Sequence, residues 1–213
     1  DRLNNNPILT KYSLKYLKYY NKVFAISENT KKDILNYTDC PEDKITVIMR
    51  SVEDFFNKNP VNKREICKKF SIPYEKKKIL ISGNIFYKNF DFTIKVLNEL
   101  CKKRNDVIFI HIGSENDVDG NKVNHKKIIK IPFLNRQDLP SIYKISDILF
   151  YPSIYEGFGM PLLEAMSCGL PIVCSNNSSI PEVVGDAALM YSDYDVKNFA
   201  ENLNKLLNDK NLY

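Results

Sequence analysis

Histidine is scarce in this chain and cysteine is thinly spread. Two histidines, His111 and His125, and five cysteines, Cys40, Cys67, Cys101, Cys168 and Cys174, stand among 213 residues. No cysteine pair has CxxC spacing, and the count is odd. That argues against a disulfide framework, and two histidines offer no metal-ligand spacing. Metal: none is therefore the expectation. The thiols are expected to behave as small buried hydrophobes in a reducing compartment. No apolar run has the length of a membrane span, and no stretch has the form of a secretory signal. A cytoplasmic location is expected. The first residue is Asp1 rather than Met, so the native start is expected to lie elsewhere.

What is present is ordinary for a globular protein: 44% hydrophobic, 27% charged and 12% aromatic residues. The length allows a sizeable core. The net charge of +5 is mild and its lysines are scattered. It suits an anionic ligand or an anionic surface without demanding nucleic acid.

From residue 76 onward a pattern repeats: a short apolar run, a turn, an amphipathic stretch. Strands are expected at 76–83, 107–113, 128–133, 147–152, 171–176 and 188–191. Between them, 89–104 predicts a helix with Ile94, Leu97, Leu100 and Cys101 on one face. Residues 114–127 are polar and read as a loop. The next helix carries Leu139, Ile142 and Tyr143, with Pro140 in its first turn. Another runs from about Pro161 to Cys168 and ends at Gly169. Ser179 to Glu182 has the form of a capping box. A last helix turns Val196, Phe199, Leu203, Leu206 and Leu207 inward. Apolar strands alternating with helices predict an α/β, doubly wound, parallel-sheet (Rossmann-like) domain over residues 58–213. Residues 1–57 hold two strands and two helices, one starting at Thr30. They read as the remnant of a preceding Rossmann-like domain plus a linker.

In such sheets ligands bind beyond the carboxyl ends of the strands. One stretch stands there: YPSIYEGFGMPLLEAMSCGLP, residues 151–171. Glu156 and Glu164 flank a Gly-Phe-Gly turn that opens a helix. The glycines allow close backbone approach. The helix start favours an anion. Two acids beside an anion make sense if they accept bonds from hydroxyls on either side of it. A nucleotide-sugar has that layout: ribose diol, diphosphate, sugar diol.

The string EGFGMPLLEAMSCGLPIVCSNNSSIPEVVGDAALMY resembles the donor-binding domain of retaining glycosyltransferases of the GT-B fold, family 4, also called group 1. The family's Glu-x7-Glu motif is matched by Glu156, Gly157, Phe158, Gly159, Pro161, Glu164, Ala165 and Met166. SGNIFYKNFD (82–91) resembles its phosphate loop. VFAISENTKKDIL and EDKITVI resemble the end of its first domain, so the likeness spans roughly 23–209. It implies hexosyl transfer from a UDP- or GDP-hexose, with retention and without a metal or other cofactor. Glu156 and Lys88 would be catalytic, the first on sugar hydroxyls, the second on the leaving diphosphate. Gly157, Phe158, Gly159 and the backbone of Met160, Pro161 and Leu162 would hold sugar and diphosphate, with Gly83 and Asn84 in the phosphate loop. Glu164 would take the ribose, and the backbone of Pro132 and Phe133 the base. The acceptor would be a glycan, a lipid-linked sugar or a protein.

There are departures. Asn84 stands where the family often has arginine near the loop glycine, and the loop is one residue short. Arg50-Ser51 replaces the usual Asn-Gly of the linker. Neither histidine lies in a segment matching the family's catalytic one. Most of the acceptor domain and the family's last helix are expected to lie outside this stretch. A fragment, a split subunit or a truncated gene product is therefore expected. The alternative is a non-catalytic nucleotide-sugar-binding subunit whose partner chain supplies the acceptor domain. Lys11, Lys15, Lys18 and Lys22, interleaved with tyrosines, suit either a domain helix lacking its partner or peripheral contact with an anionic membrane.

Overall fold

A computed structural model describes residues 14–83, 86–113, 125–131 and 134–209. The chain divides into two compact units, Asp1–Ser51 and Val52–Tyr213. The division falls earlier than residue 57 because Phe56 joins the core of the second unit.

In the first unit, β1 (Val23–Ala25) pairs in parallel with β2 (Ile45–Val47). Between them runs α1 (Glu28–Tyr37). Its cap is Ser27, whose Oγ accepts from the Thr30 amide at 2.9 Å. The helix thus begins two residues before the expected Thr30. Thr30 reads as a cap by type, but Ser27 sits one step outside the apolar pattern and takes the free amide first. Val23, Ala25, Cys40 and Ile45 form a small core. Phe24, Ile48 and Met49 remain exposed.

The second unit holds one parallel sheet in the order β5-β4-β3-β6-β7-β8. Its strands are β3 (Lys77–Ser82), β4 (Val107–Ile112), β5 (Ile128–Ile131), β6 (Ile148–Tyr151), β7 (Ile172–Ser175) and β8 (Leu189–Tyr191). The chain winds outward from β3 to β5. It then returns and winds the other way from β6, so the switch point lies between β3 and β6. Alternation splits each strand between two cores. Ile79, Ile81, Phe109, Phe150 and Val173 pack under α3 (Phe90–Lys103) and α7 (Val196–Asn208). Leu80, Ile110, Leu149, Tyr151 and Cys174 pack under α2 (Lys63–Lys69), α4 (Leu139–Ile145), α5 (Met160–Cys168) and α6 (Ile180–Val184). Burial on both faces explains the unbroken apolar runs.

Two expectations are corrected here. The buried face of α3 is Phe92, Thr93, Val96, Leu97 and Leu100, while Ile94 and Cys101 are half-buried. The helix packs against α7 as well as the sheet, and that rotates the apolar stripe. Second, Ser179 makes no side-chain cap to α6; its hydroxyl serves the loop described below. Arg104 ties α3 to α7 through Asn204 and Asn208, and holds Asp106 down to a pKa of about 2. Cys40, Cys67 and Cys174 are buried, and desolvation pushes the Cys174 thiol up to about 12.

Candidate functional site

Three loops leave the carboxyl edge of the sheet around the switch point. After β3 comes Gly83, with φ +74°; a Cβ there would meet the Lys88 side chain at 3.2 Å. Glycine lets the backbone turn while Lys88 folds back across it. A single 3-10 turn, Phe86–Lys88, then leads into α3.

After β6 comes the loop carrying Glu156. It is 8% exposed, and its Oε1 accepts from Lys88 Nζ at 2.7 Å. The same ammonium contacts the Tyr151 hydroxyl and lies 4.2 Å from that ring's centre. Burial pushes the Lys88 pKa down, and Glu156 pulls it back up, with a smaller upward pull from Glu164. Burial holds the Tyr151 phenol protonated. One cation from the β3 loop therefore meets one carboxylate from the β6 loop over the switch point. The Ile154 amide, bonded to Tyr87 O at 2.7 Å, staples the two loops together.

The β7 loop supports this arrangement. Ser178 Oγ accepts from the Glu156 amide at 2.8 Å, and Ser179 Oγ donates toward Glu156 O and Phe158 O at 3.0 Å each. Sequence reasoning missed this role for the two serines. Their pattern Ser-x-x-Glu matches a local cap, and nothing local reveals a partner 21 to 23 residues away.

Gly159 opens α5 with φ +99°, and a Cβ there would strike Leu162 Cδ1 at 2.9 Å. Phe158 and Leu162 are core side chains. The Leu162 amide already bonds Gly159 O at 2.9 Å, and Pro161 has no amide hydrogen. At this helix start, the backbone donor left among the expected donor-binding residues 160–162 is that of Met160.

Glu164 stands one turn into α5 and is 3% exposed. Its Oε2 accepts from the Tyr143 hydroxyl at 2.6 Å and its Oε1 from Arg136 Nη1 at 2.5 Å. Arg136 also forks onto Glu53, with Nε at 3.0 Å and Nη2 at 2.8 Å. Arg136 was not among the sequence candidates. It lies in a short turn before α4, at the start of RQDLPSIYKISDILFYPS, a string that resembles the family's helix and strand before the motif but assigns no role to the arginine. Burial keeps the Tyr143 phenol protonated.

Gly83, Lys88, Glu156, Gly157, Phe158, Gly159, Met160, Pro161, Leu162 and Glu164 thus share one edge. Asn84, Pro132 and Phe133 lie outside the described residues. A cavity of about 350 Å³ opens at the opposite edge, beside Lys58, Lys63, Lys144, Asp147 and Pro171. It faces the C-termini of α4 and α5, where Lys144 complements the helix dipole, and the start of α2 at Lys63.

This edge brings together a buried cation paired with Glu156, a second buried carboxylate, Glu164, and the backbone turn that opens α5. The family described as glycosyl transferases group 1 matches residues 62–213. The chain belongs to that family. Curated relatives include O-antigen chain mannosyltransferase B of Escherichia coli, 30% identical over 88% of this chain and 51% of its own length. Another is an uncharacterised glycosyltransferase of Methanocaldococcus jannaschii, 27% identical over 81% of this chain and 47% of its own length. The chain spans about half the length of these two relatives. Among solved structures, Anabaena HepE in complex with UDP and glucose superposes with a TM-score of 0.78, at 15% identity, over 94% of this chain and 57% of that one. That likeness establishes the fold: a Rossmann-like domain of the GT-B glycosyltransferase type. Among the described residues no helix is long and apolar enough to cross a membrane.

Proposed function

We propose that this chain carries the donor side of a retaining, metal-independent hexosyl transfer from a UDP- or GDP-hexose. The observation that carries the reading is the Lys88–Glu156 pair at the switch point, with Glu164 near enough to act on the same lysine. Each charge holds the other until a donor arrives. A diphosphate draws the ammonium toward itself and restores its pKa. Glu156, released, accepts from sugar hydroxyls. Lys88 then offsets the charge that develops on the leaving diphosphate. The amides around Gly157–Met160 hold the phosphates, Glu164 the ribose, and the backbone at Pro132 and Phe133 the base. No cofactor is assigned beyond the nucleotide-sugar. Mannose and glucose are the first sugars to try, from the names of the relative and the neighbour. The acceptor is a glycan, a lipid-linked sugar or a protein. The location is cytoplasmic, with peripheral membrane contact through Lys15, Lys18 and Lys22.

The test is calorimetric titration with UDP, GDP and their glucose and mannose conjugates, with and without EDTA. One base should bind, one sugar should improve it, and EDTA should change neither. Glu164→Ala should weaken the bare nucleotide about tenfold, the loss of hydrogen bonds to a charged group. Glu156→Ala should leave bare-nucleotide affinity nearly intact and remove the gain from the sugar. Equal losses of bare-nucleotide affinity would sink this division of roles.

A second reading is a donor-binding subunit that transfers sugar only with a partner chain supplying the acceptor domain, residues 1–57 being that domain's remnant. It is favoured by the exposed Phe24 on a two-stranded parallel sheet, a type normally covered on both faces, and by the exposed Ile48 and Met49 just after it. Donor binding by the chain alone, with hydrolysis or transfer only after a second polypeptide is added, would select it.

A further inference from the structure

Glu164 poses a problem that Glu156 does not. Its carboxylate is nearly sealed from water, and each oxygen already accepts one hydrogen bond. A carboxylate oxygen has two acceptor positions. One position per oxygen remains, side by side, which is what a vicinal diol needs. Whether those positions face the ligand depends on what fixes the other two. Tyr143 fixes one, and it is itself buried, with its ring edge-on to Phe56 at 6.0 Å. Arg136 fixes the other. Arg136 is in turn held by the Glu53 fork and by the Phe56 ring, 4.9 Å from its guanidinium carbon. Two residues of one short segment, Glu53 and Phe56, therefore grip both groups that orient Glu164.

We propose that Arg136 is a positioning residue, held by Glu53 and Phe56, that sets the Glu164 carboxylate for the ribose diol of the donor. This rests on the proposed assignment of Glu164 to the ribose. Arg136 need not touch the nucleotide. Its planar fork serves two carboxylates at once, which a lysine ammonium cannot reproduce with the same geometry. The residue therefore governs selectivity for ribose over deoxyribose, and not the affinity for phosphate.

The experiment measures Kd of the whole chain for UDP and GDP, for their 2′-deoxy counterparts, and for inorganic pyrophosphate. For the base that binds, the wild type should prefer ribose about tenfold, one hydrogen bond to a charged acceptor. Arg136→Gln should cut that preference to about twofold or less, Arg136→Lys and Glu53→Gln should give intermediate values, and pyrophosphate affinity should hold in all. A general loosening would weaken ribose and deoxyribose forms alike and leave the ratio intact; that result overturns the proposal. If Arg136→Gln fails to fold, an intact ratio in both Arg136→Lys and Glu53→Gln overturns it equally. A wild type that binds without preferring ribose overturns the ribose assignment and the positioning role together. A wild-type preference that survives every variant sinks the positioning role alone.

Discussion

Glu156 and Glu164 are the same residue type, almost equally buried, at the same sheet edge, yet they are held differently. Glu156 sits on a loop and faces the Lys88 ammonium with the Tyr151 hydroxyl beside it, its position fixed through its backbone by Ser178 and Ser179. Glu164 sits on a helix and is gripped through its side chain by a phenol and a guanidinium. In the first the partner lies on a separate loop, but it is itself buried against Tyr151, so it can leave Glu156 only for another anion. The second cannot exchange without breaking a network that reaches Glu53. On the proposed roles, the first is the carboxylate to be released and the second the one to stay still. His111 adds a third case at that edge. It is fully buried, with the Gly83 backbone favouring its charged form less than burial disfavours it. Its solution is to stay neutral, because burial pushes its pKa down.

The largest effect should come from Gly159→Ala, which disturbs the ground between the two glutamates. A positive φ and a clash with Leu162 combine to a loss of about 3 kcal/mol in denaturant unfolding. A loss below about 1 kcal/mol would mean that the loop re-forms without its left-handed turn. Next, Glu156→Leu should cost about 2 kcal/mol or more, since it strands a buried ammonium. Adding Lys88→Met should recover most of that while donor binding stays impaired. A double variant as unstable as the single one would show that Glu156 is anchored for the fold and not poised for exchange. Tyr143→Phe should cost about 1–2 kcal/mol by leaving one Glu164 oxygen without its donor. It should also reduce nucleotide affinity without touching the gain from the sugar. The smallest effect is on pH. Above the ordinary histidine value of 6.5, folded and unfolded chains both hold His111 neutral and its contribution is constant. Below that value the unfolded chain takes up a proton that the folded one refuses, so stability falls with falling pH. The slope is at most about 1.4 kcal/mol per pH unit for one group. His111→Phe should flatten the profile just below 6.5, leaving the share of His125, whose pKa is also lowered by burial, and at lower pH that of carboxylates such as Asp106.

Much of the fold was legible because both faces of the sheet are covered. Continuous apolar runs such as ILIS and ILFY, broken by Gly83 and Gly169, mark strands and helix ends without outside help. The face of α3 was less legible, since a helix packed against both a sheet and α7 mixes two stripes. The motif glutamates and glycines could be read because their functions need fixed residue types at fixed spacing. Ser178, Ser179 and Arg136 could not, because any local reading gives each of them an adequate role as cap or surface charge.

The sequence by itself determined the alternation of strands and helices, their parallel stacking, and the edge at which Glu156 and its glycines would lie. These follow from local propensity and burial pattern, which act over a few residues. Only the tertiary structure decided who holds whom. Lys88 and Glu156 come from loops 68 residues apart, and Arg136 meets Glu164 across 28. Such pairings depend on strand order and loop path, and a buried charge takes whichever partner the finished fold brings within reach.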